Sequence, residues 1–92
     1  MKSIEDALAE YIDTLATSAA HCHHANDRPL YDKHLAAAAI MFASFRRTGS
    51  TTVLKEYVAQ ERRAYGRSFL SGPEGEGAES AFDRFAKLVE SL

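Results

Sequence analysis

Apolar residues recur along this chain every three or four positions, with polar residues filling the gaps. Ile4, Leu8, Ile12, Leu15 and Ala19 make a stripe at helical spacing, widened by Tyr11 and Ala16, while Glu5, Glu10, Asp13, Thr14 and Ser18 fall outside it. Ser3 has the chemistry of an N-cap, and Glu5 and Asp6 complement the dipole of the first turn. A first helix is therefore predicted from about Ile4 to His24. Asn26-Asp27-Arg28-Pro29 ends it, because Asn and Asp favour turns and proline restricts the residue before it.

Pro29 fits the first turn of a second helix, where its missing N–H is no loss, and this helix is predicted to run to about Arg47. Its middle, Leu35 to Phe45, reads Leu-Ala-Ala-Ala-Ala-Ile-Met-Phe-Ala-Ser-Phe and is apolar on every side. Such a helix is expected to be the central member of a bundle, or to share its surface with a second subunit. Thr48-Gly49-Ser50 closes it, Gly49 suiting a left-handed C-terminal position.

Ser50 or Thr51 caps a third helix with the stripe Val53, Leu54, Tyr57, Val58, Ala64 and Tyr65, ending near Gly66 or Leu70. The segment Ser71 to Gly77 reads as a turn with a helix start inside it, since Ser71 and Glu74 have capping-box spacing and Pro73 suits an early helical position. Ala78, Ala81, Phe82, Phe85, Leu88, Val89 and Leu92 then form one face of a last helix. No stretch alternates with period two for the length of a strand. Short connections favour antiparallel neighbours, so the fold expected is all-α: a small antiparallel up-down four-helix bundle with helix 2 central.

Composition agrees with this reading. Ninety-two residues suffice for one domain, 1–92, with a net stability of roughly 5–14 kcal/mol by per-residue scaling. At 46% apolar and 26% charged the chain is typical of a soluble globular domain. A single cysteine leaves no disulfide framework, the acidic N-terminus lacks a signal-peptide h-region, and the Leu35–Phe45 run is about half a membrane span. The expectation is a cytoplasmic protein.

Chemistry is sparse. His21, Cys22 and His24, with His34 in the next helix, are the candidate metal ligands, and His21 and His24 share a helical face. No HExxH, ExxH or second cysteine accompanies them, so the simpler expectation is helix-end histidines beside a small buried thiol, with no metal. Cys22 makes a poor nucleophile: its helical neighbours Ser18, Ala19, Ala25 and Asn26 include no base, and a helix C-terminus disfavours a thiolate. The glycines of 72–77 lack the lysine of a phosphate loop and carry Glu74 and Glu76.

Charge is segregated. From Met1 to Phe45 there are three basic and six acidic residues, from Arg46 to Leu70 six and two, and from Ser71 to Leu92 two and five. A basic middle could hold an anion or nucleic acid, but Arg46 and Arg47 lie about 22 Å along helix 3 from Arg62, Arg63 and Arg67. Helix-dipole complementation accounts for most of the pattern. A helix-turn-helix reading of 45–58 meets bulky Phe45 where a small residue is usual and Lys55 where an apolar one is.

No paired catalytic carboxylates, activated nucleophile or cofactor motif emerges, so neither an enzyme nor a cofactor is expected. The sequence points instead to a regulatory or accessory protein-interaction module, binding another protein or itself. Its predicted contact surface is one polar pole carrying Asp27, Asp32, Arg62, Arg63, Tyr65 and Arg67 near His21 and His34, because Arg and Tyr are favoured interface anchors. Two alternatives stay open: nucleic-acid or anion binding through the Arg-rich helix 3, and transition-metal binding through the His21–His24 cluster.

Overall fold

The computed structural model describes residues 3–21, 27–65 and 72–92, of which 65 and 72–75 through the backbone. They form four helices and no strand: α1 (Ile4–His21), α2 (Arg28–Thr48), α3 (Thr51–Tyr65) and α4 (Gly72–Glu90). The all-α bundle expected from the periodicity is what the chain builds.

The helix ends follow from local chemistry. Ser3 Oγ accepts the Asp6 N–H at 3.1 Å, the N-cap anticipated for α1. Asp27 sits at the start of α2 without capping through its side chain, and Pro29 occupies the first turn. Gly49 ends α2 at φ 68°, its N–H donating to the Phe45 carbonyl at 2.7 Å. The last helix starts at Gly72, six residues before the plain apolar stripe begins at Ala78, so the start hidden in the glycine-rich segment is used.

Each helix packs on two neighbours: α1 on α2 and α4, and α3 on α2 and α4, with α1 and α4 the most extensively packed pair. Arg28 at the start of α2 donates to the Ala19 carbonyl near the end of α1 at 3.1 Å, which sets these two helices antiparallel. A two-residue connection turns α3 back along α2. An aromatic cluster holds the interior together, with Tyr11 5.5 Å from Phe82 and 6.5 Å from Phe85, and Tyr57 6.3 Å from Phe85 between ring centroids. Leu8, Leu15, Leu54, Val58 and Val89 complete it, all essentially inaccessible.

The central place expected for helix 2 is not observed. In a ring of four helices every member is a corner, and α2 buries one face only, through Tyr31, His34, Ala38 and Met41. On the other side Ala36, Ala39, Ile40 and Ala43 are exposed, Ile40 at 73%. The alanine run reflects high helix propensity and a small side chain, which need no burial. Among the described residues no helix is long and apolar enough to cross a membrane.

Candidate functional site

The polar residues expected at one pole are divided by the structure into separate pairs. Arg28 and Asp32 bond one turn apart on α2 at 3.2 Å, both well exposed, and Asp27 lies half-buried beside them. His34 is buried one turn inward, where its Nδ1–H donates to Glu61 Oε2 of α3 at 2.6 Å. His21 is exposed and donates from Nδ1 to the Thr17 carbonyl at 2.9 Å, a local contact at the end of its own helix.

Arg62 turns toward α4. Its Nε donates to Glu90 at 2.6 Å, its terminal nitrogens reach Glu90 at 2.8 Å and Asp83 at 3.3 Å, and its guanidinium carbon lies 5.8 Å from the centre of the Phe82 ring. The hydrogen bond to Glu90 is the main reason that the guanidinium holds its proton even more tightly than usual. Reciprocally, Arg62 pulls the Glu90 carboxyl below its ordinary value, while Asp83 is lowered first by Lys87 and then by Arg62. This side chain therefore fastens the end of α3 to the last two turns of α4. Arg84 fastens α4 to α1 through Glu10 at 2.9 Å.

Arg63 is exposed and donates to the Ala59 carbonyl of its own helix. Tyr65 is the last residue of α3. Arg67, Cys22 and His24 lie outside the described residues, so the metal candidates meet the structure only at His21 and His34, and His34 is committed to Glu61. Among the described residues no group of three or more His, Cys, Asp or Glu side chains is disposed to hold a metal ion.

A different surface stands out. Between α1 and α2 runs an open groove of about 590 Å³, walled by Ala9 and Ala16 on one side and Ala39 and Ala43 on the other, with Ile12 and Phe42 at its floor. It carries two charges of opposite sign, Asp13 on α1 and Arg46 on α2, and the Arg46 guanidinium carbon lies 5.5 Å from the centre of the Phe42 ring. Ile40 is exposed on α2 but does not line the groove, since it points about 100° around the helix from Ala39. The larger cleft, about 730 Å³, is lined by Arg62, Glu76, Glu79, Asp83 and Arg84 with Ser80 and Phe82; within it Arg62 answers Asp83, while Arg84 pairs with Glu10 of α1.

Two residues of consequence escape a reading by residue type. Glu61 falls outside the apolar stripe of α3 by chemistry but inside it by position, three residues after Val58 and seven after Leu54. His34 likewise stands between Tyr31 and Ala38 on the buried face of α2. A polar residue interrupting a buried stripe on each of two neighbouring helices is the signal that would have paired them. Compared with protein-family models, with curated proteins and with solved structures, the chain matches none.

Proposed function

We propose that this protein is a small non-enzymatic, cytoplasmic interaction module, regulatory or accessory in role, whose principal contact surface is the α1/α2 groove and the adjoining face of α2. The observation that carries this reading is the groove itself, an apolar strip of Ala9, Ile12, Ala16, Ala39, Phe42 and Ala43 left open to water between two helices. Scattered exposed apolar side chains need no explanation, but a contiguous apolar face on a helix at a bundle corner leaves water ordered along it, and covering it is favourable.

The polar pole makes the weaker case. Arg62 already spends its charge on Glu90 and Asp83, and His34 on Glu61, so a partner binding there would first have to break these pairs. Arg63 and Asp32 remain exposed and fit the rim of a contact rather than its centre. Internal neutralisation of Arg62 likewise weakens the reading of helix 3 as an anion or nucleic-acid surface.

Gel filtration of a fresh extract, with the protein detected by antibody, tests the reading. The native chain elutes in an assembly heavier than its own 10.1 kDa, Ala43→Glu in the groove wall returns it to the monomer position, and Arg63→Glu has a smaller effect. Elution of the native chain as a free monomer would overturn the proposal.

A further inference from the structure

We infer that the occupant of the α1/α2 groove is a second copy of this chain, joined face to face about a two-fold axis running along the groove. The inference rests on the reading of this face as a contact surface and adds what covers it. The groove holds one acid and one base, Asp13 on the α1 wall and Arg46 on the α2 wall. Among the described residues neither takes part in an ion pair within the chain. A two-fold along the groove lays α1 of one protomer over α2 of its partner, and does so twice, so that Asp13 of each copy faces Arg46 of the other. An isologous contact demands this kind of self-complementarity, in which one surface carries both halves of each interaction.

The rest of the face suits the same occupant. Alanine walls let a second helix approach closely, and helices pack well at roughly 8–10 Å between axes when the contact residues are small. Arg46 stacked over Phe42 keeps its guanidinium at the groove, so little side-chain freedom is lost on pairing. A partner of one dominant charge would leave one of the two groove charges opposed or unanswered, which costs specificity.

Sedimentation of purified protein, with helicity of every variant checked by circular dichroism, decides the matter. The native chain should shift with concentration from 10.1 kDa toward twice that mass. Asp13→Arg and Arg46→Asp should each sediment as monomers, with association weakened at least about tenfold by the like charges brought together. Mixed in equal amounts, these two variants should pair with each other. One contact then joins the two reversed charges, the other joins the two native ones, and both are attractive. The double variant should pair with itself for the same reason. A native chain that stays monomeric up to its solubility limit, single reversals that associate like the native chain, or a mixture that stays monomeric would each overturn the inference. A monomeric purified chain whose assembly in extract still dissolves with Ala43→Glu would remove the second copy as occupant while leaving the contact surface in place.

Discussion

His34 Nδ1 lies 2.6 Å from Glu61 Oε2, with the two side chains only 5% and 8% exposed. This hydrogen bond joins α2 to α3, and it sits where the apolar stripes of both helices are interrupted. A carboxylate removed from water is tolerable only because the imidazole N–H answers it.

Removing one partner should therefore be far worse than removing both. His34→Leu, which strands the Glu61 carboxyl, should cost about 3–5 kcal/mol, and Glu61→Leu, which strands only a ring N–H, about 1–3 kcal/mol, large shares of the stability of a domain this size. The double change to leucine at both positions should recover most of that loss, since it replaces a buried pair with packed apolar surface. Urea unfolding of the four proteins measures the cycle, and single losses that simply add would contradict a direct pair.

The Arg62 bridge makes a prediction about acid. Asp83 and Glu90 are both held below their ordinary 3.8 and 4.5, so their contribution to stability is complete above those values and disappears as the pH falls through the depressed ones. In Arg62→Gln the Glu90 carboxyl should titrate back up to its ordinary range, because Arg62 is its main cause of depression. Asp83 should stay low, because Lys87 at 3.0 Å still holds it. Carboxyl-carbon NMR through an acid titration reads both at once, and equal movement of the two groups would be the wrong result.

Two glycines should respond to alanine with opposite sign. Gly49 sits at φ 68° with open space where a Cβ would go, so Gly49→Ala loses about 1 kcal/mol from backbone conformation alone. Gly77 is helical and equally open, so Gly77→Ala should gain about 0.5–1 kcal/mol and raise the melting temperature by a few degrees. Thermal melts that moved in the same direction would contradict the assignment of either backbone.

Helix positions and ends were legible because they depend on neighbours in sequence: the Ser3 cap, the Gly49 terminus and the apolar stripes of α1 and α4 are all local chemistry. The place of α2 was not legible in the same way. A run of alanines is compatible with burial or exposure, and only the arrangement of the other helices determines that Ile40 faces water while Met41 faces the core. The internal pairing of the polar-pole residues was not legible for a related reason. Residue type said that Arg62 and His34 could bind something, but their partners Glu61, Asp83 and Glu90 come from within the chain and are chosen by packing.

The claim that matters most is that the α1/α2 face is covered in the working protein, and cross-linking at Ala43 in the groove wall tests it most directly. A photoreactive residue placed at position 43 in the producing cell should give one discrete adduct on irradiation, while the same residue at exposed Lys55 on α3 should give none. An adduct of twice the chain mass identifies a second copy, and any other single mass identifies a different partner on the same face. No adduct at position 43, or equal yields at 43 and 55, would contradict the account.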